Sequence, residues 1–459
     1  MRSMIVDASD EPGIRMSDDK KVCVIGAGPS GIAACQALSS RGIPFDCFER
    51  GSQVGGLWRY ENDSGLASAY ESLHANTSSK TTGYVFHPMP DDFPDYPGHR
   101  EMVAYLEACV ECSGTADRIK FGSEVMRVER SDEKWLVEWH ESDGRKGSYR
   151  YDAVLVATGH HWDPRWPEPA LPGRFAGREM HSHHYRVPQE LESRSVLVVG
   201  IGNSAMDIAR DASRVAQVTY LSARSATWIV PRYVDGVPFD QVGRELISRT
   251  WIAREVMTGP LFALGGRLLA RKIFSGQGTP QDYGLPAPDH HFGKVDPAMS
   301  SEIFALIREG RVRPKPGLSR FDDVQVHFED GSVEEIDVVI YCTGYKITFP
   351  FLLKEIIDPT DTDLPLYWRV VHPDHKGLFF IGLIDVAGAL NPLAELQAEW
   401  VADILDGSVG LPPASVMRQS IAREAARRRR RFGDSSRYAI HVDYFPYRNV
   451  ILKERKRNG

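Results

Sequence analysis

The sequence predicts an α/β protein built from two Rossmann-like parallel-sheet units, the second inserted into the first. Three observations predict it. The apolar stretch Val22-Cys-Val-Ile25 runs into Gly26-Ala-Gly28-Pro29-Ser30-Gly31. A second one, Ser195-Val-Leu-Val-Val199, runs into Gly200-Ile-Gly202-Asn203-Ser204-Ala205. Two further apolar runs end alike, in Ala157-Thr158-Gly159 and Cys342-Thr343-Gly344. At about 150 residues per domain, the 459 residues allow two or three domains.

Composition bounds the rest. The chain is 42% hydrophobic and 25% charged, as an ordinary folded enzyme is. Lys+Arg 55 against Asp+Glu 62 leaves a net charge of −7, which argues against a protein that grips nucleic acid. No stretch approaches the roughly 18 to 20 apolar residues of a membrane span. The segment Met1–Lys21 lacks the apolar centre of a signal peptide. Six cysteines, sparse and mostly within apolar runs, fit reduced thiols. A cytoplasmic chain without a membrane-integral segment is expected.

In the first glycine motif, Gly26 permits the tight turn, Gly28 lets a pyrophosphate approach the backbone, and Gly31 lets helix and strand pack. The phosphates rest on the helix N-terminus at Pro29 and Ser30, where free N–H groups and the dipole favour negative charge. The next strand ends in Glu49, 21 residues after Gly28, where an acid can take ribose hydroxyls. Arg50, Gln53, Gly55, Gly56, Leu57 and Trp58 follow; read alone, they suit either a backbone lying against a flat ligand or a loop with a core tryptophan.

The second motif repeats this logic, with Ala205 at the position that tolerates a methyl and Asp207 on the first turns of the helix. Its next strand ends without an acid, in Ser222-Ala-Arg224-Ser225. Arg224 can pair with a 2′-phosphate that an acid would repel, unless it is only a solvated loop arginine. The two sites therefore want different dinucleotides, NADPH at the second and FAD at the first, where Gly55–Trp58 placed after Glu49 resembles the flavin-binding segment of flavoprotein monooxygenases. The expected boundaries are 18–164 for the first part of the FAD unit, 165–330 for the NADPH unit, and 331–459 for the returning part with a helical tail. Thr158 and Thr343 read as structural markers of the crossings.

Between the motifs lies Phe175-Ala-Gly177-Arg-Glu-Met-His181-Ser-His-His-Tyr185. This F-x-G-x-x-x-H-x-x-x-Y pattern between two dinucleotide motifs resembles the signature of the flavin-containing monooxygenases, within the class B flavoprotein monooxygenases. Baeyer–Villiger relatives carry Trp where this chain has Tyr185. Three histidines (His181, His183, His184) lie close together, but with no cysteine and only Glu179 nearby no metal site is expected.

The resemblance covers nearly the whole chain, and it implies cofactors, site residues and a reaction. FAD and NADPH are the cofactors, Gly55–Trp58 belongs to the flavin-binding segment, and His74-Ala-Asn76-Thr77 brings an asparagine beside the flavin. Asn391 and Gln397 belong to a helix whose N-terminus faces the flavin pyrimidine. A C4a-hydroperoxyflavin would transfer oxygen to a soft nucleophile, an amine nitrogen or a thioether sulfur, with O2 and a small molecule as substrates. Asn76 is the expected catalytic residue, holding nicotinamide and flavin in register; the alternative is a turn residue ahead of Thr77-Ser-Ser. A Baeyer–Villiger ketone oxygenase and a non-oxygenating FAD/NADPH redox protein are the other readings. Arg427–Arg431 reads as a solvated helix face rather than an RNA- or membrane-binding patch. Animal relatives continue into an apolar anchor where this chain stops, which removes the case for an integral membrane protein. Cys109-x-x-Cys112 sits in an expected helix without a setting that would lower a thiol pKa. No motif encodes the oligomeric state; a homodimer is the assembly allowed for.

Overall fold

The computed structural model of the chain describes residues 21–225, 227–242, 270, 273–274 and 276–457. The expected start of the first unit at residue 18 and the last two residues of the tail lie outside them. Strand Val22–Ile25 (β1) leads into helix Pro29–Ser40 (α1) and strand Phe45–Phe48 (β2). A one-turn helix Ser79–Thr82 (α2), helix His99–Ser113 (α3), strand Ile119–Lys120 (β3) and strand Ala153–Val156 (β4) follow. Next come Arg178–His181 (β5), Ser195–Val199 (β6), helix Asn203–Val215 (α4) and Val218–Ser222 (β7). Helix Ile303–Arg308 (α5), Val312–Lys315 (β8) and Val338–Tyr341 (β9) complete that part. The chain returns through Leu378–Phe380 (β10), Asp385–Ala387 (β11), helices Asn391–Leu405 (α6) and Ala414–Phe432 (α7), strand His441–Asp443 (β12) and helix Tyr444–Glu454 (α8).

Two five-stranded parallel sheets result, β10-β4-β1-β2-β3 and β8-β7-β6-β9-β5. They share one plan. Each glycine-motif strand sits centrally, with its successor on one side (β1 on β2, β6 on β7) and a Thr-Gly-ending strand on the other (β1 on β4, β6 on β9).

Each parallel sheet is covered on both faces, so its strands read as continuous apolar runs rather than alternating ones. Val22 and Val24 of β1 face α1, α3 and α6. Cys23 and Ile25 point the other way, onto Val125, Trp135 and Val137 of a three-stranded antiparallel sheet (Ser123–Ser131, Lys134–Glu141, Lys146–Tyr151). In the second unit Val196 and Val198 face α4, while Leu197 faces Phe321, Val326 and Phe328 of another three-stranded antiparallel sheet.

This plan corrects one boundary. Residues 331–341 were expected to return to the first unit, but β9 pairs with β6 and with β5, so the inserted unit runs to Tyr341. The physical reason is the shared topology: β9 closes the second sheet as β4 closes the first. The outgoing and returning connections pair with each other, Asp163–Pro164 against Tyr345–Lys346. Thr343 Oγ1 donates to the Arg165 carbonyl at 2.5 Å, a structural role as expected.

Candidate active site

The first cradle is built from backbone at close quarters. Gly26 adopts φ +100°, and a Cβ there would stand 2.8 Å from the Ala157 carbonyl oxygen. A Cβ on Gly31 would fall 1.8 Å from the Gly26 oxygen, so α1 meets β1 only without a side chain. Gly28 faces Gly56, whose added Cβ would lie 3.0 Å from the Gly28 Cα. The Gly55-Gly56 loop thus lies over the motif, and Gly55 N–H donates to the Ala27 carbonyl at 3.1 Å. Pro29 opens α1, and its carbonyl accepts the Tyr84 hydroxyl at 2.6 Å. Ser30 is buried beneath Gly382, whose added Cβ would overlap the Ser30 Oγ.

Glu49 ends β2 at this cradle. Its carboxylate accepts the N–H of Ala27 at 2.8 Å and of Gly51 at 2.7 Å. Burial pushes its pKa up, and those two backbone donors hold it down in opposition. Leu57 and Trp58 are half-buried in the turn Gly56–Trp58, with Trp58 packed on the core around α1. Arg50 is instead engaged with Glu124 at 3.2 Å, and Gln53 is exposed.

A second wall comes from residues 74–82 and the start of α6. Asn391 is the first residue of α6, and its Nδ2 is buried with no partner among the described residues. His74 Nδ1 is likewise buried without a partner there, beside a bridge to Gly98. Thr77 Oγ1 bonds Thr82 Oγ1 at 2.7 Å. Asn76 lies between fixed neighbours: Ala75 N–H donates to the Pro97 carbonyl at 2.8 Å and Ser79 N–H to the Asp95 carbonyl at 2.7 Å. Its own side chain is exposed. Gln397 corrects an expectation. It is fully buried, accepting from Gly382 N–H at 2.7 Å and donating to the Tyr447 hydroxyl at 2.6 Å, so both ends of its amide are spent inside the protein. One helical turn and more beyond Asn391, it has rotated away from the helix N-terminus into the core.

In the second cradle, Gly200 has φ +132° with the Cys342 carbonyl oxygen 2.5 Å from an added Cβ, whereas Gly202, preceding α4, has no neighbour among the described residues within 4 Å of one. Ala205 is buried at the helix–strand contact, and Ser204 is half-buried. Asn203 Oδ1 accepts Met299 N–H at 2.8 Å, pinning the loop before α5 to the motif. Arg224 stands exposed two residues past β7. Asp207, expected at the nucleotide, faces the first unit instead. It is buried, accepts the Tyr70 hydroxyl at 2.8 Å, and lies 3.5 Å from Arg210 and 3.7 Å from Arg232. Its position on the buried face of α4 is the reason, and desolvation pushes its carboxyl up.

A model of the family described as flavin-binding monooxygenase-like matches residues 19–455. The chain belongs to this family. It is similar to the flavin-containing monooxygenase 2 of Homo sapiens, 32% identical over 448 residues, with 95% of this chain and 82% of the relative covered. The flavin-containing monooxygenase 3 of Homo sapiens is 33% identical over 447 residues, covering 94% and 82%. Among solved structures, S-allyl-L-cysteine S-oxygenase from Allium sativum superposes with a TM-score of 0.70 at 26% identity, covering 96% and 89%. Cyclohexanone monooxygenase from Rhodococcus sp. Phi1 shares the fold, with a TM-score of 0.69 at 17% identity, covering 95% and 97%.

The protein is thus an FAD- and NADPH-dependent monooxygenase, and its residues fit both cofactors. At Gly26 and Gly31 a Cβ would meet backbone, which leaves the turn and the helix start bare of side chains, and the buried Asn391 Nδ2 has no partner among the described residues, as a donor to a bound cofactor would. The family's histidine segment lies where the units meet. His181 Nδ1 accepts His183 N–H at 3.1 Å, and burial pushes both rings down to about 4. Tyr185 is fully buried and donates to Asp211 at 3.2 Å, with its ring 5.8 Å from that of Tyr70. Ser72 of the first unit bonds the same carboxylate.

Other long-range contacts, one of them (Arg431 to Lys294) between the units, carried no local signal in the sequence. Arg428 and Arg429 pair with Asp363, and Arg431 pairs with Asp443 at 2.7 Å while donating to the Lys294 carbonyl. Arg427, Arg429 and Arg430 are exposed, as a solvated face would be, whereas Arg428 is buried and Arg431 half-buried, so the run is in part an internal clamp. Cys109 is buried, its thiol pushed up to about 12 by desolvation, and Cys112 is exposed. All six cysteines are free, and Cys109 has none of the thiolate character that redox exchange needs. Among the described residues no helix is long and apolar enough to cross a membrane.

Proposed function

We propose that this monooxygenase oxygenates soft nucleophiles, an amine nitrogen or a thioether sulfur, and that Asn76 couples cofactor oxidation to that transfer. One observation carries the assignment of Asn76. Its flanking backbone is tied on both sides, yet its side-chain amide makes no hydrogen bond to the described residues. A residue serving to make a turn commonly spends its side chain on neighbouring backbone; here the backbone is held and the side chain is exposed, which supports a role toward a ligand. Support for the substrate class comes from relatives, an N-oxide-forming dimethylaniline monooxygenase of Rattus norvegicus and an S-oxygenase. Tyr185, bonded to Asp211, supports the same class.

When bound, NADPH supplies a hydride and FAD passes the electrons to dioxygen, one oxygen atom going to substrate and the other to water. The chain's part is to bind, orient and exclude water. N–H groups at the start of α1 receive the FAD pyrophosphate, and Glu49, steadied by Ala27 and Gly51, meets the ribose. Asn391 and the N-terminal dipole of α6 would meet the flavin's polar edge. The start of α4 would receive the NADPH pyrophosphate, and Arg224 the 2′-phosphate. Asn76 would hold the nicotinamide in register with the flavin.

Purified Asn76→Ala should retain FAD and consume NADPH, releasing hydrogen peroxide with little sulfoxide or N-oxide. A variant that forms product per NADPH as the parent does would reduce Asn76 to a turn residue. Product analysis with a tertiary amine, a thioether and a cyclic ketone tests the substrate class; oxygenation of the ketone alone would overturn it.

A further inference from the structure

The loop that carries Asn76 belongs to the first unit, but an acid of the inserted unit holds it. Asp240 Oδ2 accepts the Ser78 N–H at 3.0 Å, the Ser78 hydroxyl at 2.9 Å and the Thr81 hydroxyl. Ser78 is fully buried and immediately precedes α2, so this carboxylate does for a one-turn helix what a capping side chain does, from outside its own unit. Gln241 adds a hydrogen bond from Nε2 to the Ser78 hydroxyl at 2.9 Å. The other face of the turn is held by the Asp95 carbonyl.

Asp240 is itself tethered back toward the second cradle. Residues 232–241 dock on the first unit through Phe239 N–H to the Tyr96 hydroxyl at 3.1 Å and the Tyr233 hydroxyl to Asp95 at 3.1 Å. Arg232, at the start of this segment, reaches Asp207 on α4 at 3.7 Å and lies 5.3 Å over the Tyr96 ring. A continuous set of contacts therefore runs from the helix of the second glycine motif through Arg232 and Asp240 to Ser78, two residues from Asn76.

We infer that Asp240 is a positioning residue: it fixes the Asn76 loop against the inserted unit, so that the unit expected to carry NADPH also sets the asparagine expected to hold the nicotinamide. This rests on the reading of Asn76 given above. A charged acceptor of three donors is the strong form of such a clamp, and its removal strands the buried Ser78 N–H and hydroxyl, while the Thr81 hydroxyl keeps only the Ser78 carbonyl at 3.1 Å. The loop then loses its register without any change in the residues that receive FAD.

The test uses the FAD-loaded enzyme. In Asp240→Ala, amide hydrogen exchange over residues 76–82 should quicken, and product formed per NADPH should fall about fivefold or more. Hydrogen peroxide should account for the difference, while FAD content and the rate of FAD reduction by NADPH stay at the parent's level. Asp240→Asn, which keeps an uncharged acceptor, should fall between. The double variant with Asn76→Ala should couple no worse than Asn76→Ala alone, because both changes act through one group. Parental coupling in Asp240→Ala, losses that add in the double variant, or a proportional loss of FAD and of all activity would each overturn the inference. Should Asp240→Ala fail to fold, Asp240→Asn and Thr81→Val decide by the same criteria. Uncoupling in Asn76→Ala with none in Asp240→Ala sinks only this inference; full coupling in Asn76→Ala sinks the underlying reading as well.

Discussion

The two cradles share strand, turn and helix but differ in what surrounds them. In the first, Gly26 and Gly31 are pressed by backbone, and the Gly55-Gly56 loop lies in contact over Gly28. Its acid, Glu49, is buried and tied to two backbone N–H groups. In the second, an added Cβ on Gly202 meets no atom of the described residues within 4 Å, a methyl stands at the third position, and the basic residue past the strand is exposed. An overlain site would suit a cofactor retained through many turnovers, and a less covered one a nucleotide that enters and leaves.

The comparison breaks most sharply at the third motif position. Gly31→Ala would put a methyl 1.8 Å from the Gly26 oxygen; with backbone on both sides to move, the cost is about 3 kcal/mol. The purified variant should lack FAD and unfold at lower temperature. Next in size is Arg224→Ala. A charge-assisted contact to the 2′-phosphate is worth about 1.5 to 3 kcal/mol, so use of NADPH should weaken roughly 10- to 150-fold while use of NADH barely changes. Equal losses with the two nucleotides would place the phosphate elsewhere.

A third prediction contrasts the two junctions between the units by pH. His181 and His183 are held neutral, with folded pKa values of about 4 against an ordinary 6.5. Between those values the unfolded chain binds more protons, so their contribution is present above pH 6.5 and lost as pH falls toward 4. The ceiling is about 1.4 kcal/mol per pH unit for each ring. At the other junction His441 lies 3.7 Å from Asp296. The pKa of His441 is raised by neighbouring carboxylates, and burial pushes Asp296 up to about 6. Both bind protons more tightly when folded, so that junction weakens as pH rises through their folded pKa values. From pH 7.5 down to 5 the two junctions therefore pull the melting temperature in opposite directions, and His181→Asn, which keeps an acceptor for the His183 N–H, should remove part of the loss on the acid side. The smallest expected effect is Ala205→Gly, about 1 kcal/mol of helix propensity, with NADPH use retained. A large loss there would mean that the second cradle is as tightly packed as the first.

Much of the site was legible because its chemistry is local. Gly26, Gly28 and Gly31 stand at the spacing that a turn and a helix start require, and Glu49 and Arg224 follow at the ends of the next strands. These positions are set by strand and turn lengths, which the chain encodes within some 30 residues. Gln397 and Asp207 were misplaced because a helix turns successive residues through its faces, and which face meets the ligand depends on what else packs there. The boundary near residue 330 slipped for a related reason. An apolar strand ending in Thr-Gly is the same string whichever sheet it joins.

By itself, then, the sequence determined the two glycine cradles, the charge at each, the insertion of one unit in the other and the family. Tertiary structure alone decided that β9 closes the second sheet, that the arginine run clamps Asp363 and Asp443, and that Asp207 and Asp240 reach across to Tyr70 and Ser78. The reason is physical. A turn or a strand end is specified by neighbours a few residues apart, whereas a carboxylate that meets its partners 137 or 162 residues away is brought there by the packing of two sheets, which no short stretch of sequence records.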